Sequence, residues 1–342
     1  MVFKVILYMK KILFVGSFFS RKVGSVGPIE KVMYRLQNEF IITSVSKYKN
    51  KIIRLLDIIG KSFFVKYNLI HIDVYSNLGF YWAFCAAYVA FVRRKKIILN
   101  LHGGGLVDFH KHNVSIVNKL FKKANVILTP SNFIKKYFEN LGYVVDYLPN
   151  SVDFTLFSYK ENHVRNHSLL WVRSFAPTSN PSLAVFTLLE VRKYYPNATL
   201  TMVGPDQGNL SEIKELILRL GLTECIFIVG KVSNKDLPEY YYSHQVYLNT
   251  TSYESFGIAL MEAACCGIPF VSTSVGEIPY LWEDSKNCLL ISDFSPFTMS
   301  KAICEYFRDE QKSLEYAREA QKKSQCYSWE KIKTYWIDVL NR

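Results

Sequence analysis

The sequence lacks the patterns that mark disulfide-bonded, zinc-binding or membrane-spanning proteins. Its cysteines number seven, which is odd, and none of them form a Cys-x-x-Cys pair; a reducing compartment, the cytoplasm, is therefore expected. An apolar run, Leu78–Val92, is shorter than the ~18 to 20 residues of a transmembrane helix and precedes Arg93-Arg-Lys-Lys96, which favours a buried core helix. The residues before Lys11 resemble part of a signal sequence interrupted by lysines, and a start at Met1 or at Met9 stays open.

Acidic residues are scarce in the first half of the chain. Residues 1–160 hold 24 Lys and Arg against 8 Asp and Glu, whereas residues 161–342 hold 18 against 21. A basic half favours attraction to an anionic membrane surface or to a phosphate-bearing substrate. Nucleic acid is the competing partner, but no nucleic-acid-binding module is present in the sequence, so we expect none. Charge that only keeps the protein soluble is the remaining alternative.

Short apolar strands alternate with helical stretches along both halves of the chain, which predicts parallel sheets covered on both faces. In the first half a strand at Lys11–Val15 leads into a glycine-containing loop and a helix, the opening of a doubly wound domain. The pattern restarts near Leu169, after a polar stretch that has the composition of a linker. We therefore expect an α/β protein with one domain over residues 1–160 and a second over residues 168–325.

A loop–helix segment in the second half carries two carboxylates beside a helix N-terminus. Glu254 lies in the loop, Glu262 lies about one turn inside a helix predicted for Ile258–Cys266, and Gly257 allows close backbone approach between them. The unpaired N–H groups and the dipole of a helix start favour an anion. A nucleotide sugar, with hydroxyls at both ends and phosphate between them, fits this arrangement. The alternative is an ordinary amphipathic helix with an acid placed for its dipole.

Two further candidates lie at the carboxyl ends of predicted strands, where α/β proteins place their sites. His102 and three glycines follow the strand Lys96–Leu101, and Arg173 ends a strand of the second half. The planar guanidinium of an arginine suits a diphosphate. The alternatives are a surface histidine in a turn and a solvated arginine. His110 and His112 lie near His102 without a third ligand at a sensible spacing, so no metal site is expected.

The stretch Glu254-Ser-Phe-Gly-Ile-Ala-Leu-Met-Glu262-Ala-Ala-Cys-Cys-Gly-Ile-Pro-Phe-Val resembles the Glu-x(7)-Glu signature of family 4 retaining glycosyltransferases. The resemblance covers both acids, the Phe-Gly pair, Glu-Ala and Gly-x-Pro. It implies the GT-B fold, in which two Rossmann-like doubly wound parallel-sheet domains face each other across a cleft. The last helix, within residues 328–342, resembles the terminal segment that crosses back onto the first, acceptor-side domain of such enzymes.

The activity that the resemblance implies is that of a hexosyltransferase-type glycosyltransferase (EC 2.4). It would move a sugar from a nucleoside-diphosphate sugar to a hydroxyl of a glycan or lipid-linked acceptor in surface polysaccharide or lipopolysaccharide synthesis. A UDP-sugar is the expected donor and GDP-mannose the next; the sugar, acceptor and linkage stay open. Together with the basic first half, this predicts a cytoplasmic protein that is peripheral on the inner face of the membrane.

The resemblance also assigns roles to individual residues. Glu254, His102 and Arg173 form the expected catalytic set. Glu254 would hold hydroxyls of the transferred sugar, Arg173 the diphosphate and Glu262 the ribose hydroxyls, with backbone groups completing the donor site. The expected donor-binding residues are Glu262, Ser255, Phe256, Gly257, Ile258, Gly230, Lys231, Gly27 and Asn150.

Departures from the family pattern keep a second hypothesis open. Pro28 stands at the second glycine of a Gly-Gly-x-Glu segment, and Ser179 stands near the slot of a lysine that serves as second diphosphate cation. Lys231 and Arg21 are candidates to replace that lysine. No Asp-x-Asp occurs, so neither a metal nor a cofactor is expected. The alternative is a non-catalytic GT-B relative that acts as partner subunit or nucleotide-sugar-binding scaffold; an epimerase or a phosphorylase on this fold is a third hypothesis.

Overall fold

The computed structural model describes residues 9–16, 18 and 28–342, and the chain divides into two compact units. Unit 1 comprises the described residues up to Asn150 together with Glu330–Arg342, and unit 2 comprises Ser151–Trp329. Each unit contains a six-stranded sheet whose strands are all parallel. This is the doubly wound α/β architecture that the alternation of strands and helices predicts.

The strands predicted at Lys11–Val15 and Lys96–Leu101 form over those residues. The six strands of unit 1 are β1 (Lys11–Val15), β2 (Ile41–Val45), β3 (Leu69–Val74), β4 (Lys96–Leu101), β5 (Val126–Thr129) and β6 (Asp146–Tyr147). The six strands of unit 2 are β7 (Ser168–Val172), β8 (Thr199–Val203), β9 (Ile226–Gly230), β10 (Val246–Asn249), β11 (Phe270–Thr273) and β12 (Leu289–Ile291).

Helices connect the strands throughout the described residues. Those before the second sheet are α1 (Pro28–Leu36), α2 (Lys51–Phe64), α3 (Leu78–Val92), α4 (Leu106–His112), α5 (Val114–Phe121) and α6 (Asn132–Glu139). Those that follow are α7 (Pro181–Val191), α8 (Leu210–Arg219), α9 (Leu237–Ser243), α10 (Ile258–Cys266), α11 (Ile278–Leu281), α12 (Pro296–Arg308), α13 (Glu310–Ser324) and α14 (Trp329–Asn341).

Both sheets reverse their winding direction at one point. The strand order of unit 1 is β2-β1-β3-β4-β5-β6, so the chain moves away in opposite directions from β1 and β3. The order in unit 2 is β12-β11-β10-β7-β8-β9, and the corresponding neighbours are β10 and β7. Ligands of open parallel sheets bind at the carboxyl ends of such a strand pair. Each unit therefore has one place where a site is expected on topology alone.

The helix α10 is shaped by glycines at both of its ends. Gly257 at its N-cap and Gly267 at its C-cap both have positive φ, 84° and 81°, which residues with a side chain rarely adopt. A Cβ at Gly267 would also lie 2.4 Å from the carbonyl oxygen of Lys160. The segment that precedes β7 therefore packs directly against the end of α10. This packing places residues 151–160 with unit 2, whereas the sequence analysis assigned them to the first domain.

The last helix, α14, packs within unit 1. Lys10 Nζ donates to the carbonyl oxygen of Leu340 at 2.6 Å, and the ion pairs Lys333–Glu39 and Arg342–Asp146 close at 2.8 and 2.9 Å. The side chains of Ile332, Trp336, Val339 and Leu340 are buried. The chain thus returns to its first sheet after completing the second.

Helix α3 is less buried than its apolar sequence predicts. Phe80 and the small residues Ala83, Ala87 and Ala90 face the core, whereas large side chains such as Tyr88 point to solvent. The core side of the helix is built from small residues because the helix lies close to the sheet. Across the described residues, no helix combines the length and apolarity needed to traverse a bilayer.

Candidate functional site

Arg173 and Glu254 meet at the carboxyl ends of β7 and β10. Arg173 directly follows β7 and Glu254 lies in the loop after β10, so the strand pair at which the sheet reverses brings them together. Arg173 Nη1 donates to Glu254 Oε2, and Nη2 donates to Thr251 Oγ1 at 3.4 Å. The two side chains that the sequence analysis placed in one catalytic set therefore form an ion pair.

The second oxygen of Glu254 is occupied by its own loop. Oε1 accepts hydrogen bonds from the backbone N–H groups of Ser255 at 3.0 Å and Phe256 at 3.3 Å. The Phe256 N–H was predicted to meet the sugar or the diphosphate. In the structure this N–H donates to the Glu254 carboxylate instead. In the first turn of α10 the N–H groups have no earlier helical carbonyl to pair with, and Gly257 and Ile258 lead into that turn.

Two glycines that the sequence analysis did not single out let the backbone pack against this ion pair. A Cβ at Gly276 would lie 2.1 Å from the carbonyl oxygen of Glu254, and a Cβ at Gly204 would lie 1.7 Å from that of Arg173. The backbone of Glu254 is held further by the N–H of Glu277, which donates to its carbonyl at 2.9 Å. These contacts join residues that are far apart in the sequence, so no local sequence pattern predicts them.

Buried charge and phenol groups set the electrostatics of this region. Burial lowers the pKa of Arg173, but the charge and hydrogen bond of Glu254, together with the nearby phenols of Tyr247 and Tyr241, raise that pKa above its usual value. Burial, with the nearby Glu262 carboxylate, raises the pKa of Tyr241 well above its usual value. The phenol of Tyr241 donates to Glu262 Oε2 at 3.2 Å. The Glu262 carboxylate is therefore largely buried, and the hydrogen bond from Tyr241 helps to fix its orientation.

The other predicted donor residues belong to different elements of the chain. Gly230 ends β9, two strands away from β7, and its carbonyl oxygen accepts from the N–H of Gly204 at 2.8 Å. Lys231 follows it with an exposed side chain. Asn150 is the last residue of unit 1 and is half-buried. Gly27 lies outside the described residues.

Ser179 is a small side chain that is buried in unit 2. It ends a short 3-10 turn, Pro177–Ser179, and only 2% of its surface is exposed. Its carbonyl oxygen accepts from Thr250 Oγ1 at 2.9 Å. The backbone here is tied to the loop after β10, and Ser179 supplies no cation.

In unit 1, His102 is paired with an aspartate that the sequence analysis missed. His102 Nε2 donates to Asp73 Oδ1 at 3.2 Å, and the imidazole stacks on Tyr75 with ring centroids 5.5 Å apart. The Asp73 side chain is 1% exposed, whereas the His102 side chain is 14% exposed. Since a carboxylate only accepts, the proton of the neutral ring sits on Nε2, and Nδ1 is left as an acceptor.

A cavity of about 210 Å³ lies at the carboxyl ends of β1 and β3, where the sheet of unit 1 reverses. Arg54 donates to the carbonyl oxygen of Gly16 at 3.0 Å and lies 4.5 Å over the ring of Trp82. Asp73 Oδ2 is buried without a hydrogen-bond partner. The wall is formed by Val15, Gly16, Arg54, Ile58, Asp73, Tyr75, Ser76, Gly79, Trp82 and Ala83.

One signal could have revealed Asp73 in the sequence, since it is the lone acid in the apolar strand β3 and lies next to its carboxyl end. Arg54 gave no such signal, because its burial depends on packing between α2, α3 and the sheet. Within the part of the chain that the structure describes, no three His, Cys, Asp or Glu side chains are grouped closely enough to hold a metal ion.

The buried His71 makes the stability of unit 1 sensitive to acid. Burial lowers the pKa of His71 to about 4, although the nearby Asp73 carboxylate opposes the shift. The unfolded value is about 6.5, so between these pH values the unfolded chain binds more protons, and the free energy of unfolding falls by up to about 3 kcal/mol as the pH drops. We expect His71→Leu to remove this part of the pH dependence in urea unfolding at pH 7 and pH 5.

The surface variant His112→Leu serves as the control and should keep the acid sensitivity of the wild type. Equal acid sensitivity in His71→Leu and the wild type would contradict the assignment.

Comparison with known proteins assigns the second half of the chain to a family. Residues 157–324 match the family model described as "Glycosyl transferases group 1". This segment is a group 1 glycosyltransferase domain. Its matched range contains the Arg173–Glu254 ion pair, α10 and Glu262. The expectation of a group 1 glycosyltransferase is thereby confirmed for this part of the chain.

A curated relative matches a little less than half of the chain. The D-inositol 3-phosphate glycosyltransferase of Streptomyces avermitilis is 25% identical over 161 residues, which are 46% of this chain and 35% of the relative. The matches span little more than a third of the length of the first curated relatives. The likeness therefore covers only part of each relative and not the relatives as wholes.

Solved structures match the chain almost from end to end. Anabaena HepE in complex with UDP and glucose superimposes with a TM-score of 0.78 at 19% identity, covering 97% of this chain and 99% of HepE. The sucrose-phosphate synthase of Thermosynechococcus elongatus gives 0.79 at 15% identity, covering 97% and 98%. The glycosyltransferase domain therefore forms part of a GT-B fold with two Rossmann-like domains, which confirms the predicted fold class.

Proposed function

We propose that this protein is a retaining glycosyltransferase of the family 4 type, which transfers a sugar from a nucleoside-diphosphate sugar to a hydroxyl of a glycan or lipid-linked acceptor in surface polysaccharide synthesis. A UDP-sugar is the proposed donor, with GDP-mannose next. HepE was solved with UDP and glucose, which supports the choice of UDP. The reaction is proposed to need neither metal nor cofactor and to take place in the cytoplasm.

The observation that carries this proposal is the convergence of a cation, a carboxylate and a helix start at the reversal point of the unit 2 sheet. Arg173 and the first turn of α10 both attract the diphosphate, the first by its charge and the second by free N–H groups and the helix dipole. Glu254 is held by three hydrogen bonds and presents a fixed acceptor for sugar hydroxyls. Glu262 lies on the same helix and suits the ribose hydroxyls.

In the proposed reaction the acceptor oxygen bonds to the anomeric carbon on the face from which the diphosphate departs. The bond from that carbon to the phosphate oxygen breaks, the diphosphate keeps the electron pair, and the hydroxyl proton passes to the departing oxygen. Charge therefore develops on the diphosphate. Arg173 and the first turn of α10 stabilise it, and such preorganised stabilisation is usually the largest catalytic contribution.

The cavity of unit 1 is the proposed place for acceptor hydroxyls. Asp73 lines this cavity, and its Oδ2 is a buried acceptor that lacks a hydrogen-bond partner. A buried polar atom of this kind costs free energy unless a group pairs with it. A hydroxyl of the acceptor supplies that missing donor, while Trp82 and Ile58 offer an apolar wall to the sugar ring.

A non-catalytic relative is the second candidate, favoured by Ser179. This small buried residue stands where the family carries a cationic lysine, and Pro28 stands at the second position of the glycine pair. A scaffold would keep its protein partner when Glu254 is changed to glutamine. An enzyme would lose turnover with the same change.

Thermal unfolding with nucleotides tests both candidates. We expect UDP or a UDP-sugar to raise the melting temperature by several degrees at a concentration of a hundred times its Kd, because binding at that level adds about 2.7 kcal/mol to the free energy of unfolding. GDP, ADP, CMP and their sugars complete the panel. Glu262→Ala should abolish the shift, since it removes the acceptor proposed for the ribose hydroxyls.

Glu315→Ala is the matched control, because Glu315 also lies on a helix of unit 2 but on its exposed surface. This variant should show the full shift. The absence of a shift with every nucleotide would reject donor binding and favour the scaffold candidate.

A further inference from the structure

The outer faces of α2 and α3 expose large apolar side chains in two helical stripes. Along α2, Ile52, Leu56 and Phe63 recur at helical spacing and are 71%, 64% and 55% exposed. Along α3, Tyr81, Tyr88 and Val92 recur in the same way. We call the outer surface formed by Ile52, Leu56, Phe63, Tyr81, Tyr88 and Val92 the α2–α3 face. Contiguous exposed apolar surface of this kind marks an interaction site.

The two stripes belong to one surface. Both α2 and α3 make right-handed crossovers toward the same edge of the sheet, so they lie on the same side of it. Their C-terminal ends are joined by Arg93, whose Nη1 donates to the carbonyl oxygens of Ser62 and Val65 at 2.8 and 2.9 Å. The apolar stripes therefore run side by side and face the same solvent.

Cations surround the α2–α3 face at both ends. Exposed lysines precede and open α2, and further cations follow α2, α3 and α5. We call this set the basic rim: Lys47, Lys49, Lys51, Lys66, Arg94 and Lys122, all exposed. Within the described residues, no salt bridge engages any of these six side chains. From residue 58 to residue 138 the sequence contains only two acids, Asp108 and the buried Asp73.

At the C-terminal end the cations and the apolar surface are in direct contact. Lys123 Nζ lies 4.1 Å from the ring centroid of Phe91 and 5.3 Å from that of Tyr88. A groove there is lined by Phe91 and Val92 together with Arg94, Lys95, Lys96, Lys122 and Lys123. Apolar side chains and positive charges therefore lie side by side on this surface.

We propose that the α2–α3 face docks onto a bilayer that contains anionic phospholipids, with its apolar stripes in the interface and the basic rim against the headgroups. Interfacial binding combines buried apolar area with attraction to anionic lipid. A second copy of the chain is a poor occupant, because two basic rims would repel each other. Nucleic acid matches the charge, and bases stack on exposed rings such as Tyr81 and Tyr88. A bilayer also buries the aliphatic side chains of Ile52, Leu56 and Val92, which stacking leaves exposed.

The C-terminal part of the basic rim lies away from the candidate site of unit 1. Lys66 and Arg94 follow helices that lead into the amino ends of β3 and β4, whereas His102 lies after the carboxyl end of β4. The C-terminal part of the basic rim and His102 are therefore at opposite edges of the sheet. Docking does not rest on the proposed sugar transfer, because vesicle binding is measured without donor or acceptor.

Sedimentation with lipid vesicles tests the docking. The full chain is mixed with vesicles of phosphatidylcholine alone or of phosphatidylcholine with phosphatidylglycerol, at low and at high salt. We expect binding to the anionic vesicles at low salt and its loss at high salt. The triple variant Lys66→Gln, Arg94→Gln, Lys122→Gln should bind about a hundredfold more weakly, since each cation near an anionic surface contributes about 1 kcal/mol, or about fivefold.

A second variant separates the apolar contribution from the charge. Leu56→Ser combined with Phe63→Ser should weaken vesicle binding by at least tenfold without changing the net charge. The controls lie in unit 2: Tyr194→Ser with Leu218→Ser for the apolar change, and Lys214→Gln with Lys235→Gln for the charge. Both control pairs are exposed and should bind as the wild type does. Melting temperatures verify that every variant is folded.

Four outcomes would overturn the proposal. The first is no sedimentation with anionic vesicles, and the second is equal binding to phosphatidylcholine alone. The third is tight binding of single-stranded RNA that vesicles do not displace. The fourth is a dimer in light scattering that the Leu56→Ser, Phe63→Ser variant dissociates, which would assign the face to a second copy.

Discussion

Replacement of Arg173 by glutamine is expected to lower the turnover of sugar transfer by about a hundred- to a thousandfold, which corresponds to about 2.7–4 kcal/mol of transition-state stabilisation. The guanidinium follows β7 and is fixed by Glu254 and Thr251 before any ligand arrives. Because Ser179 supplies no cation, Arg173 is the main positive charge proposed for the departing diphosphate.

The ion pair makes a stability measurement necessary beside the kinetic one. Removing one partner of a fully buried pair costs about 3–5 kcal/mol, and this pair retains some exposure. The loss should be smaller, because Glu254 Oε1 keeps its bonds to the N–H groups of Ser255 and Phe256. Turnover at saturating donor is therefore compared at a temperature where the variant is folded.

Arg219→Gln is the control for Arg173→Gln. Arg219 is an exposed arginine in the last turn of α8. The turnover of the Arg219→Gln protein should therefore equal that of the wild type. A folded Arg173→Gln protein that transfers sugar at the rate of the control would remove Arg173 from the mechanism.

The local features of this fold could be predicted from the sequence because local residues determine them. The helix predicted for Ile258–Cys266 forms over that range, since Gly257 and Gly267 take positive φ at its two ends. Ser131 caps α6, with its hydroxyl accepting from the N–H of Ile134, and serine is a preferred residue at this position. The doubly wound topology followed from the alternation of strands and helices, and from it the two places where sites belong.

The features that escaped prediction depend on contacts between distant segments. Arg54 is buried against Trp82 only after α2 and α3 have packed on the sheet. The apolar sequence of α3 predicted burial all round, but the neighbouring elements cover only one side. The N–H of Phe256 was predicted to meet a ligand, whereas the Glu254 side chain turns back toward it. In each case the sequence identifies the side chain or backbone group but not the residue that it contacts in the fold.

Asp73→Asn should separate catalysis from stability in unit 1. Asp73 holds the imidazole of His102 through Nε2 and so keeps Nδ1 as the acceptor toward a ligand. The amide of asparagine can donate as well as accept, so it no longer selects this tautomer or fixes the ring. Misplacement of a reacting group by about 1 Å costs about a hundredfold in rate, and we expect a loss in kcat of that size.

The thermal stability of Asp73→Asn should not fall together with its kcat. Asp73 Oδ2 is buried without a hydrogen-bond partner, and a neutral amide of the same shape lowers the cost of burying this group. We therefore expect the melting temperature of Asp73→Asn to equal or exceed that of the wild type. Nucleotide binding should be unchanged, because Arg173, Glu262 and the first turn of α10, which are proposed for the diphosphate and the ribose, belong to unit 2. Asp108→Asn, at an exposed aspartate of α4, is the control.

A double-mutant cycle decides whether Asp73 acts through His102. If it does, Asp73→Asn costs little further turnover in a His102→Ala protein, because the imidazole that it positions is already gone. If the losses in kcat multiply, Asp73 acts by itself, and its free oxygen in the cavity becomes the group to examine. The first result makes Asp73 a positioning residue, whereas the second makes it a direct ligand of the acceptor.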